Sequence, residues 1–205
     1  MILSESESRN IIERALSFSS ADEIRVNLSG GRSGNTRFAL NSITTSGDED
    51  TLSVRVLAYF GKQHATARGT EFTDDALQRI VQTAEEAARF APEDPEYVPE
   101  LQPQTYLPIN PYFSSTAAAT PQLRAKGVQS SIEPSINKDL LSAGFFSNRH
   151  GFSAVGNNHK LFGYYQSSNA SFSITIRTQD GSGSGWGRDS ARNIDLVDYQ
   201  VASRR

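Results

Sequence analysis

The sequence predicts an α+β protein built from two helix–antiparallel-sheet–helix units joined by a proline-rich strap. Three observations predict it. First, residues 51–61 read TLSVRVLAYFG: Leu52, Val54 and Val56 alternate with Ser53 and Arg55, and Gly61 breaks the run. Period-two patterning in β-branched residues is the signature of a strand with one buried face. Second, at a constant offset of 120, Phe172, Ile174 and Ile176 alternate with Ser173 and Thr175, and Gly181 closes that run. Third, six of the eight prolines, at 92, 95, 99, 103, 108 and 111, crowd into residues 92–111 between the two stretches.

The first element is a helix over residues 5–18. Ser4 with Glu7 forms a capping box, and Ile11, Ile12, Ala15 and Leu16 give a helical stripe. Ile24, Val26 and Leu28 alternate as a strand that Gly30-Gly31 is expected to end. A second strand starts near Asn35 and passes through Phe38, Leu40 and Ile43, and residues 47–50 read as a polar turn before the strand at 51. Thr73 caps the next helix, with Asp74 and Asp75 favouring its dipole. Leu77, Ile80, Val81, Ala84, Ala87, Ala88 and Ala91 form its apolar face, and Pro92 stops it. Glu85-Glu86 reads as its solvated side.

Proline spacing over residues 92–111 disallows helix and favours an extended path. Tyr97, Leu101, Tyr106, Leu107 and Ile109 are candidate apolar anchors, which favours a strap over a free linker. Thr120 caps a further helix with Pro121 at its first position; Leu123, Val128 and Ile132 lie near one face, and Pro134 ends or kinks it. From Leu141 the signal is β: Phe145-Phe146, then residues 152–155, a turn at 156–158, residues 161–166 and residues 170–178. Glycines 181, 183, 185 and 187 punctuate a loop, and Asp195 begins a last helix. The expected divisions are 1–91, a strap or linker at 92–119, and a second unit at 120–205 truncated at its C-terminal end. Between residues 52–69 and 172–189 only Ser53/Ser173, Gly61/Gly181 and Arg68/Arg188 are identical. Internal duplication and two unrelated α+β halves are therefore both open readings.

The 205 residues are 37% apolar, enough for one large domain or two small ones. Net charge is −3, with 17 acids and 10 bases in residues 1–100 against 6 and 10 in residues 101–205. That balance argues against a broadly basic nucleic-acid binder, and no direct nucleic-acid binding is expected. With no cysteine the chain has no disulfide, thiolate nucleophile or thiolate-held zinc. MILSESESRN carries acids where a signal peptide needs a basic start, and no run approaches the ~18 apolar residues of a membrane span. A soluble, cytoplasmic protein is the expectation.

His64, His150 and His159 stand in no HExxH, HxH or helical pair with a carboxylate, so exposed or turn histidine is the reading and no metal ligand is assigned. GSGSGWG at 181–187 lacks the Lys-Ser/Thr of a P-loop and opens no helix directly; a hairpin tip or close-packed backbone fits better than a nucleotide site. No catalytic, metal or cofactor residue emerges. Trp186, the sole tryptophan, reads first as a lid on a small core and second, with Arg188, as a contact for a peptide or partner. The phenylalanines at 145, 146 and 152 lack the density of basic neighbours that an RNA-binding sheet shows.

Residues 27–67, NLSGGRSGNTRFALNSITTSGDEDTLSVRVLAYFGKQHATA, resemble the N-terminal segment of the TldD/PmbA (TldE) proteins, modulators of DNA gyrase and a metallopeptidase family. Residues 142–187 are similar to that family's next β-rich section, so the resemblance covers most of the chain. It implies a homodimer or a paired family subunit, and unfolded peptide as substrate. It implies zinc only through an HExxxH helix in a C-terminal domain. No HExxxH occurs here, so the chain looks like the N-terminal half, nearer the PmbA type, inactive alone and serving as scaffold, dimer surface and peptide-docking surface. The alternative is a stand-alone protein-binding module of the gyrase-modulator type.

Overall fold

Backbone hydrogen bonding joins six strands into one open antiparallel sheet in the computed structural model, which describes residues 2–200. The elements in order are α1 (Glu5–Ser17), β1 (Glu23–Ala39), β2 (Ser42–Phe60), β3 (Gln63–Gly69), α2 (Asp74–Phe90), α3 (Ser114–Ala117), α4 (Pro121–Ile136), β4 (Leu140–Asn157), β5 (Phe162–Thr178) and β6 (Ser184–Ala191). A 3-10 turn, Ile194–Leu196, follows. The last helix expected from Asp195 falls partly on residues 201–205, which lie outside the described residues.

The strand order is β3-β2-β1-β4-β5-β6. It is symmetric about β1 and β4, so β2 and β5, which carry the two patterned stretches, are each second from an edge. The stretch at 51–61 is thus not central. Gly61 (φ 58°) and Gly181 (φ 74°) close the turns after them, in the left-handed region that costs glycine little. The strands are longer than the sequence patterns predict. Gly30-Gly31 lies inside β1, and residues 47–50 lie inside β2. A Cβ on Gly30 would sit 2.6 Å from Leu52 Cδ1 and 2.7 Å from Phe152 Cε1, so this glycine marks side chains crossing the strand. The chain turns instead at Leu40-Asn41, both at positive φ as a two-residue hairpin demands. Asn41 Oδ1 accepts from the Ser142 amide and hydroxyl, and its Nδ2 donates to Leu140 O.

Contacts divide the chain into two units, each assembled from interleaved segments, so they do not coincide with stretches 1–91 and 120–205. One comprises residues 1–31, 51–109 and 152–165; the other comprises 32–50, 110–151 and 166–205. Each of the four long strands contributes to both. In the first unit Ile11, Ile12 and Ala15 of α1 and Leu77, Val81 and Ala84 of α2 pack with Ile24, Val26, Leu28, Val54, Val56 and Ala58. The Ser4–Glu7 capping box is present at the start of α1. Glu85 is not on a solvated side: it is buried. Its carboxylate accepts from Ser19 Oγ (2.6 Å), the Ser20 amide (2.7 Å) and hydroxyl (2.9 Å), and the Ala21 amide (3.2 Å). Burial pushes its pKa up, but these hydrogen bonds together hold it below 4.5.

In the second unit Val128 and Ile132 of α4 pack on Phe38, Phe146, Phe172 and Ile174. Leu123, expected on that face, is half-exposed, and Arg124 points inward instead, 0% exposed. Its guanidinium donates to Asp48 (2.6 Å) and Asn148 (2.7 Å), with a longer bond to Thr36 (3.4 Å). Gly34 makes the room, because a Cβ there would overlap the guanidinium.

Two outcomes are expected in urea denaturation followed by far-UV circular dichroism. Arg124→Leu takes the donor from buried Asn148 Oδ1 and leaves Asp48 with Arg32 alone, lowering stability by about 2 kcal/mol, and Gly34→Ala also lowers it. A wild-type midpoint for both would show the buried guanidinium to be dispensable. Glu85→Gln lowers stability at pH 7 by about 1–2 kcal/mol. Because the folded pKa lies below the unfolded value, the carboxylate's contribution is complete above pH 4.5 and is lost as pH falls through the folded pKa. The gap between wild type and variant therefore closes on acidification; a gap that widens would refute the assignment.

Candidate functional site

Two surfaces expose large apolar or aromatic side chains, one in each unit. In the first, residues 92–109 run extended across β1, β2, β4 and β5. The attachments are polar. Tyr97 donates its hydroxyl to Glu23 (2.7 Å), the Glu100 amide donates to the same carboxylate, and Arg25 pairs with Glu100 at 3.1 Å. Asn157 Nδ2 donates to Leu101 O, and Gln102 Nε2 meets His159 Nδ1 at 2.6 Å. The bond to Glu23, then partial burial, pushes the Tyr97 hydroxyl up to about 12, so it remains a donor throughout the physiological range.

The expected apolar anchors mostly do not anchor. Leu101, Leu107 and Ile109 are 63%, 86% and 68% exposed. Tyr97 and Tyr106 do reach the sheet: Tyr97 packs edge-on to Tyr59 at 5.6 Å, and the Tyr106 ring sits where a side chain on Gly163 would go. Between Thr105, Tyr106, Leu107 and Ile109 on one side and Asn27, Ser29, Val155 and Tyr165 on the other lies an apolar groove of about 700 Å³.

In the second unit the surface is β6, the last strand of the order. Trp186 stands opposite Thr175 and Arg188 opposite Ser173. Trp186 is 64% exposed, so it does not lid a core. Arg188 Nε donates to Ser171 Oγ (3.0 Å), which puts it on the Ser171/Ser173/Thr175 face, away from buried Phe172 and Ile174. The ladder's phase follows from Thr178 N donating to Gly183 O. In an antiparallel pair, hydrogen-bonded positions alternate with non-bonded ones. Residues 185, 187 and 189 therefore bond to β5, and the backbones of 184, 186 and 188 point their N–H and C=O away from it. Trp186 and Arg188 thus offer side chains together with backbone that has no partner among the described residues. The residue pattern had marked these two positions; the outward backbone was not legible, since the glycines read as a loop.

That loop does not cradle phosphate. Thr178 Oγ1 (2.6 Å) and the Ser182 hydroxyl (2.8 Å) and amide (3.1 Å) all donate to Asp180, holding its carboxyl down at about 2. The loop's own anion occupies its donors. Two of the histidines differ from the exposed or turn residues expected, and one agrees. His64 lies in β3 beside Tyr59, and His150 lies in β4 edge-on to Tyr112, its pKa lowered by burial and then by Arg32. His159 sits in a turn, 3.4 Å from Glu23. Among the described residues no group of three or more His, Asp or Glu could hold a metal ion. No helix among them is long and apolar enough to cross a membrane.

No family model matches the chain, and no curated protein matches it. Solved structures do. TldE from Thermococcus kodakarensis is 17% identical with a TM-score of 0.84, over 96% of this chain and 45% of that one. A candidate modulator of DNA gyrase from Thermotoga maritima is 12% identical with a TM-score of 0.83, over 96% and 46%. Another from Bacteroides thetaiotaomicron is 12% identical with a TM-score of 0.86, over 100% and 49%. The chain spans just under half the length of these structures. It therefore has the fold that TldE and the two gyrase-modulator structures share, the TldD/PmbA-type fold.

Proposed function

We propose that the chain is a non-catalytic part of a TldD/PmbA-type protein, a metallopeptidase or its partner subunit, and that it serves as scaffold, subunit surface and docking surface for unfolded peptide. The observation that carries this reading is the outward backbone of β6 at Trp186 and Arg188. An extended peptide adds to such an edge through main-chain hydrogen bonds, which tolerate many sequences. That tolerance suits capture of unfolded segments. The groove beside Tyr106 would accept an apolar side chain of the same kind of ligand. Any zinc chemistry of the longer protein would belong to residues outside this chain.

A second reading, a stand-alone protein-binding module of the gyrase-modulator type, is favoured by the names of two of the similar structures. Such a module would recognise a folded partner and leave unfolded peptide unbound.

Trp186 is the only tryptophan, so its emission reports directly on the edge. Titration with an uncharged extended peptide of alternating Val and Thr should change that emission saturably. Arg188→Pro removes an outward N–H without breaking a ladder bond, and should abolish the change. Arg188→Ala should retain it. A flat titration, or binding indifferent to the proline, would overturn edge docking.

A further inference from the structure

The face of the second unit opposite α4 carries four arginines with no acidic partner among the described residues. Alternation with buried neighbours places each one. Arg37 lies between Thr36 and Phe38 on β1, and Arg149 follows buried Asn148 on β4. Arg177 continues the Ser171/Ser173/Thr175 series on β5, and Arg188 is on β6. All four are exposed. Arg37 lies 5.7 Å over the ring of Phe145 on the same face, and Trp186 is exposed on it, with Leu141 and Ala143 at the alternating positions of β4. Two acids border this face: Glu49 on β2, four strands from β6, and Asp139 just before β4, which accepts from Gln179 Nε2 at 3.1 Å and lies within 4 Å of none of the four guanidinium groups among the described residues. Between the arginines stand the hydroxyls of Ser147, Ser171, Ser173 and Thr175.

Such a face repels cations and rewards carboxylates. A guanidinium presents its donors as a planar fork that a carboxylate meets with two parallel hydrogen bonds. In an extended ligand alternate side chains fall on one side, so a chain added beside β6 directs every second residue to the side of the sheet that carries the arginines, nearest Arg188 and then Arg177. We propose that this face binds extended polypeptide whose alternate residues are acidic, with Trp186 taking an intervening apolar side chain. The proposal rests on the docking reading above and specifies its ligand. A single-stranded nucleic acid shares the negative charge, but it needs successive rings for base stacking, and here one ring is freely exposed while Phe145 is covered by Arg37.

The test uses the full chain and three fluorescein-labelled probes: a peptide of alternating Glu and Leu, one of alternating Lys and Leu, and oligo-dT. The acidic peptide should bind, and its affinity should fall as salt is raised. Arg177→Gln with Arg188→Gln should weaken it about tenfold at an unchanged urea midpoint, and Arg149→Gln should weaken it further. The basic peptide should not bind. Equal or tighter binding of oligo-dT would overturn the proposal in favour of nucleic acid. Acidic-peptide affinity indifferent to salt and to the glutamines would also overturn it. If the uncharged peptide docks and the acidic one binds no better, the edge reading stands and the acidic preference falls.

Discussion

The pleat of the sheet is the constraint on which everything else depends. Each strand sends successive side chains to opposite sides. In the second unit Phe172 and Ile174 go to the side that α4 covers, and Ser171, Ser173 and Thr175 go to the other. That division sets the chemistry of the open face before any partner is considered. It also ties Trp186 and Arg188 together, because two residues separated by one must share a side. Sliding β6 by one residue would bury both and expose Gly187 and Asp189 instead, so burial of Phe172 and Ile174 holds Trp186 and Arg188 where they are.

Buried charge provides the second level of organisation. Glu85, Arg124 and the Glu23–Glu100 pair each sit where an unpaired charge would be costly, and each has several partners. Glu85 ties the turn after α1 to α2. Arg124 ties α4 to β1, β2 and β4. Glu23 and Glu100 hold residues 97–102 against the first unit's strands. These polar ties leave the apolar side chains of the proline-rich segment free, which is why Leu107 and Ile109 stay exposed beside the groove.

Much of the architecture was legible in residue pattern. The helices of residues 5–17, 74–90 and 121–136 follow from capping residues and apolar stripes, because helix signals are local. The relation of β2 to β5 followed from the 120-residue offset, and the symmetric strand order gives it a spatial meaning. Strand length was not legible. Gly30-Gly31 and residues 47–50 carry turn chemistry, yet the ladder runs through them, since a neighbouring strand supplies the hydrogen bonds that local propensity cannot. The hairpin at Leu40-Asn41 was missed because Leu is rare at positive φ, and Asn41 holds it by bonds to residues about a hundred positions away.

The sequence by itself determined an α+β chain with two alternating strands at a fixed offset, an extended proline-rich segment, and Trp186 and Arg188 as contact candidates. Those are properties of period, capping and backbone restriction, all set within a few residues. Only the tertiary structure decided that one sheet takes up both stretches, that Glu85 and Arg124 face inward, and that Arg37, Arg149, Arg177 and Arg188 meet on one face. Arginines so distant in sequence carry no mutual signal along the chain. Their juxtaposition is set by strand order and register, and those are fixed by long-range pairing.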